Sequence, residues 1–375
     1  MSGLLAELGS QARVRDFLHR AADTGRASHA YLFLGPPSSG KTEVAWAFAQ
    51  ALLCEDEQNP GCGSCDACRR VARHTHPDVR LLEPESAMGY LISQVRDVLE
   101  EVPLTPIRGK GKVYIIDRAE QLRANTANAL LKTLEEPPLG VTFILLGTSA
   151  DAILPTIMSR CQCVPFQTLS LQTIADQIGR ETGALADRAR IAAAVSQGSA
   201  EAIEFVRSAD RQAARRAMIH ALDSLPHADA ADILERAREI TLACDAPLAE
   251  VESTQKAILE QNADYLSRGA LKQLEDRNKR ELTARRRSGI MEVLASARSL
   301  LRDVLLTREG VDLASRVNTD VQDIVERLSA AACVTGVLSA LDAVSVAEAR
   351  LARNVTPQLV IETMLFAIRK GLQCP

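Results

Sequence analysis

Residues Gly35-Pro36-Pro37-Ser38-Ser39-Gly40-Lys41-Thr42 fit G-x-x-x-x-G-K-[ST], and this stretch limits the fold more than any other. The glycines let backbone N–H groups converge on phosphate oxygens, and the dipole of a following helix adds to that attraction. Lys41 is placed to reach the β- and γ-phosphates, and the Thr42 hydroxyl to ligate Mg²⁺. Such a cradle needs a strand before it and a helix after it. Residues 31–34 form a short apolar run that reads as a buried strand. A helix is expected from about Lys41, with Ala45, Phe48, Ala49, Leu52 and Leu53 on its apolar face. The N-terminal part is therefore read as a P-loop NTPase-type domain that holds ATP or ADP with Mg²⁺. A glycine-rich turn without a ligand is the plainer alternative.

A P-loop site also needs an acid at the end of a buried strand. The run Val113-Tyr114-Ile115-Ile116 ends at Asp117, which is placed to orient Mg²⁺. A hydrolytic site of this kind usually has a Glu beside that Asp, and here the neighbour is Arg118. A guanidinium cannot act as a general base at neutral pH. Glu120, three positions after Asp117, reads as too far along the turn to be assumed a substitute.

Further strands are expected at residues 79–82, 112–116 and 142–146. Helices are expected at 11–22, 92–99 and 126–136, the last stopped by Pro137-Pro138. Alternation of the two indicates a parallel sheet covered on both faces. After Phe166 the strand runs vanish. The remainder is rich in Ala, Leu, Arg and Glu at helical spacing, with Pro226, Pro247 and Pro357 read as breaks. With aromatic residues only 3% of the chain, burial must lean on aliphatic side chains, which favours helical layers. The expected domains are residues 1–168, a helical unit at 169–210 and a bundle at 211–375, with residues 247–288 read as lengthening one bundle helix.

Cys54, Cys62, Cys65 and Cys68 follow C-x7-C-x2-C-x2-C, and the chain's five other cysteines are scattered. Four thiolates at this spacing complete a closed tetrahedral Zn²⁺ site, structural in kind. A redox Cys-x-x-Cys and unligated thiols are the alternatives. The uneven distribution argues against a disulfide framework and for a reduced, cytoplasmic setting. No long uninterrupted apolar segment is present, and residues 1–10 lack the pattern of a secretory leader. A net charge of -4 excludes a strong global attraction for nucleic acid. The basic segment 277–287 reads as a solvated helix face, or as a contact for a partner or DNA phosphate. Asn125 and Thr126 read as capping residues, or as a helix start that offers amides to phosphate.

Together these elements resemble the subunits of the bacterial DNA polymerase III clamp loader. Ser28-His29-Ala30-Tyr31-Leu32-Phe33 leads into the cradle, and His74-Thr75-His76-Pro77-Asp78 follows the cysteine module. The stretch from Asn128 to Pro138, NALLKTLEEPP, and Ser159-Arg160-Cys161, reached through Leu154-Pro155-Thr156-Ile157-Met158, are the most specific parts of the likeness. The resemblance implies an AAA+ core, a small helical lid and a helical collar that oligomerises. It implies gamma/tau and delta subunits, the sliding clamp and primed DNA as partners, and no membrane. It makes Arg160 an arginine finger acting in a neighbour's nucleotide site and Thr148 the first sensor. Two departures from the motor subunits stand out. Arg118 replaces their catalytic Glu, and Glu201, in Gly198-Ser199-Ala200-Glu201-Ala202, lies where a lid arginine is expected. Both fit a stator, as does the lack of tau's long extension. The rival expectations are an autonomous gamma/tau-like ATPase and a zinc-containing nucleic-acid adaptor with a vestigial P-loop.

Overall fold

The computed structural model describes residues 11–36, 39–85, 89–108, 110–196, 199–262, 268–311, 315–353 and 355–373. The chain divides into two compact units, Met1–Ser170 and Leu171–Pro375.

In chain order the first unit contains α1 (Ala12–Asp23), β1 (Ala30–Leu34), α2 (Lys41–Leu52), α3 (Asp66–Ala72), β2 (Val79–Leu82), α4 (Ile92–Glu101), β3 (Lys112–Ile116), α5 (Ala124–Glu135), β4 (Val141–Gly147), α6 (Pro155–Met158) and β5 (Gln162–Pro165). The strands form one sheet in the order β2-β3-β4-β1-β5. Every pairing is parallel. Parallel strands covered on both faces must be apolar throughout. The side chains of β3 show this. Tyr114 and Ile116 pack with Val95, Val98, Leu130 and Leu134 of α4 and α5. Val113 and Ile115 pack on the other face with Val14, Leu18, Val44 and Phe48 of α1 and α2. Burying one such side chain stabilises the fold by roughly 2 kcal/mol.

The second unit is helical throughout its described residues. It runs α7 (Leu171–Thr182), α8 (Ala186–Val195), α9 (Ser199–Arg207), α10 (Ala209–Ser224), α11 (Ala230–Asn262), α12 (Arg268–Arg308), α13 (Gln322–Ala331), α14 (Val334–Ala352) and α15 (Pro357–Leu372). The first unit thus has the α/β character with a parallel sheet that was expected, and the second the all-helical character. No single described helix is long and apolar enough to cross a membrane.

Two expectations need correction. Pro247 does not break a helix, because it lies inside α11, which is 33 residues long. Its missing N–H costs one intrahelical bond, and packing along α12 holds the helix through that point. The segment 162–165 is a strand that was not anticipated. Three of its four residues are exposed, so it shows no apolar run.

One buried carboxylate makes the helical unit pH-sensitive. Glu292 of α12 accepts from Ser196 Oγ at 3.3 Å and from Arg211 Nη1 at 3.5 Å. Burial pushes its pKa up to about 7, with Arg211 opposing and Glu201 adding to the shift. A folded pKa above the ordinary carboxylate value means that the native state takes up a proton. Stability from this group is therefore present below about pH 4.5 and is lost as pH rises through 7. Urea titrations at pH 5 and pH 8 are expected to show a fall for the wild type that is about 3 kcal/mol larger than for Glu292→Gln. Equal falls in the two proteins would refute this.

Candidate functional site: a phosphate cradle, an acid strand and a cysteine cluster

The cradle sits between the end of β1 and the start of α2. Gly35 donates its N–H to the Gly147 carbonyl at 3.1 Å. A side chain at Gly35 would collide with Phe166, whose Cβ would lie 2.7 Å from the added carbon. Gly40 has φ +78°, a left-handed conformation that lets the backbone turn into α2. Lys41 Nζ donates to the Gly35 and Pro36 carbonyls, both at 3.1 Å, so its ammonium lies over the loop. Burial lowers its pKa, while Asp117, Glu120 and Glu43 oppose the shift. Thr42, in the first turn of α2, is half-buried. The Ser39 hydroxyl is buried and has no protein partner. These residues fit a nucleotide phosphate. Pro37 and Ser38 lie outside the described residues.

Strand register brings the other residues expected in a nucleotide site to the same end of the sheet. Leu34 lies opposite Gly147, and Ile116 opposite Leu145, so Gly35, Asp117 and Thr148 all emerge at the C-terminal ends of their strands. Asp117 is fixed by its N–H to the Leu82 carbonyl at 2.9 Å and by the Tyr90 hydroxyl on its own carbonyl. Arg118 has φ +47°, unusual for a residue with a side chain. Its Nε lies 3.2 Å from Asp117 Oδ2. The residue in the usual position of the base is thus paired to the acid that would orient Mg²⁺. Glu120 lies in the one-turn 3-10 helix Ala119–Gln121, and its charge is among those that oppose the lowering of the Lys41 pKa. Glu120 Oε2 is buried without a protein partner.

Arg160 lies elsewhere. It follows α6 and precedes β5, whose Gln162 pairs with Tyr31 and whose Pro165 pairs with Leu34. About 10 Å of strand, at roughly 3.3 Å per residue, therefore separates the Arg160 end of the sheet from the cradle end. Its guanidinium meets Glu135 at the C-terminus of α5.

The cysteines form a compact cluster beside α2. The sulfurs of Cys54, Cys62, Cys65 and Cys68 all lie within 4.8 Å of one another. Cys54 and Cys65 are 4.0 Å apart, and Cys62 and Cys68 are 3.9 Å apart. A Zn–S distance near 2.3 Å gives tetrahedron edges of about 3.8 Å, so the donor set fits zinc. Amide N–H groups point at three of the sulfurs: Cys62 N to Cys54 Sγ, Cys65 N to Cys62 Sγ and Cys68 N to Cys65 Sγ, at 3.3 to 3.4 Å. They favour thiolates. The Ser64 hydroxyl, opposed by burial, lowers the Cys62 thiol to about 6, while burial raises Cys54 and Cys68. No disulfide is present among the described residues.

Several other residues singled out in the sequence have structural roles here. Asp78 is buried and accepts from the Ile107 and Arg108 amides at 2.7 and 2.8 Å, while His74 stacks on Trp46. Asn125 Oδ1 accepts from Thr126 N at 2.9 Å and Thr126 Oγ1 donates to the Arg123 carbonyl, both inside the first turn of α5, whose N-cap is Arg123 with no side-chain cap. In the basic segment, Arg285 pairs with Glu281 and Arg286 with Asp245, as on a solvated, ion-paired face. The side chain of Arg277 is outside those described. Glu201 accepts from Ser288 Oγ at 3.2 Å within the helical unit.

Comparison with known proteins adds the lineage. Residues 10–170 match the family described as DNA polymerase III, delta subunit. The delta′ subunit of DNA polymerase III from Bacillus subtilis is 36% identical over 217 residues, which is 58% of this chain and 65% of that protein. The delta′ subunit from Pseudomonas aeruginosa is 44% identical over 141 residues, 36% of this chain and 43% of that one. The tau subunit from Escherichia coli is 38% identical over 175 residues, 46% of this chain and 27% of that one. In each case the match spans less than two thirds of the relative's length. The likeness is thus carried by the N-terminal unit, which is similar to DNA polymerase III clamp-loader subunits, delta′ subunits among them.

Proposed function

We propose that the chain is the stator of a clamp loader. In this reading it binds ATP or ADP with Mg²⁺ weakly or statically, donates Arg160 to the ATPase site of an adjoining gamma/tau-type subunit, and helps load the sliding clamp on primed DNA. Bound nucleotide would supply the phosphate charge that Lys41, Thr42 and the cradle amides are arranged to hold, with Asp117 oriented toward the metal and Thr148 beside them. Helices α7–α9 are the lid in this reading, and α10–α15 the collar through which subunits associate. Zn²⁺ on Cys54, Cys62, Cys65 and Cys68 is structural.

The observation that carries the proposal is the position of Arg160. It lies at the end of the sheet away from Gly35 and Lys41, out of reach of the chain's own cradle. An arginine so placed acts on a phosphate held by another subunit. The pairing of Arg118 with Asp117 agrees with it, since the chain's own site has a guanidinium where a motor has its base.

Glu120 supports one rival reading, an autonomous ATPase. Its buried oxygen without a protein partner and its electrostatic influence on Lys41 mark it as the acid available to activate water. Phosphate release by the purified chain separates the two. The stator reading expects nucleotide binding that Lys41→Ala abolishes, with turnover far below the ordinary enzyme range of about 1–10³ s⁻¹. Motor-rate turnover that falls with Glu120→Gln would replace the stator with the ATPase.

A further inference from the structure

The Arg160 guanidinium is held from two sides. Nε donates to Glu135 Oε1 at 2.7 Å, and Nη2 donates to the same oxygen. Nη1 donates to the Thr156 carbonyl at 2.9 Å and lies 3.2 Å from Ser159 Oγ. Glu135 is the last residue of α5, which ends just before Pro137-Pro138. Thr156 belongs to α6. Acceptors on two separate elements therefore define both the direction and the plane of a long, flexible side chain. Arginine carries five N–H donors in a planar fork. The contacts just described take up its Nε edge and its Nη1 corner. The outer N–H of Nη2 remains directed away from both anchors, on a side chain that is 30% exposed.

We infer that Glu135 is a positioning residue for Arg160, fixing the guanidinium so that its outer edge meets a neighbour's phosphate without a further search of rotamers. This rests on the proposal that Arg160 acts in trans. Arginine has several rotatable bonds whose freedom is lost when the side chain is ordered. Glu135 removes much of that freedom before the subunits meet, and preorganisation of this kind acts on the chemical step. The ion pair also has an opposite possible consequence, that Glu135 neutralises Arg160 and withholds it. Removing the carboxylate would then speed the neighbour's reaction, so the two effects differ in sign.

The test uses the full chain assembled with tau- and delta-type subunits, with every nucleotide site silenced except the one adjoining Arg160. Wild type, Glu135→Ala, Glu135→Gln, Arg160→Ala and the Glu135→Ala/Arg160→Ala double variant are compared in kcat and KM for ATP. Affinity for ADP–aluminium fluoride, a transition-state mimic, gives a readout independent of turnover. Glu135→Ala is expected to lower kcat about tenfold and to weaken the mimic similarly, with KM nearly unchanged. Glu135→Gln keeps an oxygen that accepts both N–H groups and is expected to recover most of the loss. The double variant is expected to match Arg160→Ala alone. Wild-type or faster turnover by Glu135→Ala, while Arg160→Ala is impaired, overturns the positioning role and leaves the finger standing. Additive losses in the double variant also overturn it, because Glu135 would then act by another route. If Arg160→Ala itself has no effect, the finger reading fails and this inference fails with it.

Discussion

Arg160→Ala is expected to leave the isolated chain folded while slowing turnover at the adjoining subunit's ATPase site by about a thousandfold or more. The two halves of this expectation have different causes. Within the chain, Arg160 contributes an ion pair whose side chains are 30% and 48% exposed. Pairs so accessible to solvent stabilise a fold by about 0–1 kcal/mol. The side chain is not part of either apolar cluster that covers the sheet. Across the interface, the same guanidinium would face a phosphoryl group whose charge is redistributing in a site sheltered from water, where a fixed cation is worth far more than at a surface. Thermal melting of the isolated variant, together with single-site turnover in the assembly, measures both. Unchanged turnover would rule out a finger at this position.

Removal of metal should produce the largest effect on stability. The purified chain is expected to contain one zinc per molecule, with Cys54, Cys62, Cys65 and Cys68 unreactive toward thiol reagents until a strong chelator is added. Structural zinc sites contribute apparent binding free energies of about 10–16 kcal/mol in small modules. Four sulfurs brought within 4.8 Å have no comparable reason to stay together without an ion. Chelation, or Cys68→Ala, is expected to release residues 54–68 to proteolysis. The sheet has its own apolar layers and should keep most of its far-ultraviolet signal. Elemental analysis and limited proteolysis check this. A metal-free chain that reversibly forms a Cys62–Cys65 disulfide would point instead to redox chemistry.

Most of the sheet was legible because its inner strands are buried on both faces and read as short apolar runs. The edge strand β5 was not, since Gln162, Cys163 and Pro165 are exposed and only Val164 is buried. The cradle and the cysteine cluster were legible because their ligands are close in sequence and spacing alone brings them together. The pairings at Arg118 and Arg160 were not. One depends on a left-handed backbone, and the other joins residues 25 positions apart through the packing of α5 and α6. Spacing alone did not show that Glu120 has a buried oxygen without a protein partner and a charge that is felt at Lys41. Pro247 shows the converse: a local rule against helix was overridden by contacts along a neighbouring helix.

Helix α2 runs from the phosphate cradle to the cysteine cluster. Its first residue is Lys41, its C-cap Leu53 is followed directly by Cys54, and Gln50 near its end donates to the Cys68 carbonyl at 3.0 Å. Twelve residues at 1.5 Å each make it about 18 Å long. It is a strut whose far end is tied into the cysteine cluster by Cys54 and by the Gln50 contact to Cys68. If metal at the cluster and nucleotide at the cradle are coupled through this helix, the linkage is reciprocal: any tightening of nucleotide caused by metal would be matched by an equal tightening of metal caused by nucleotide.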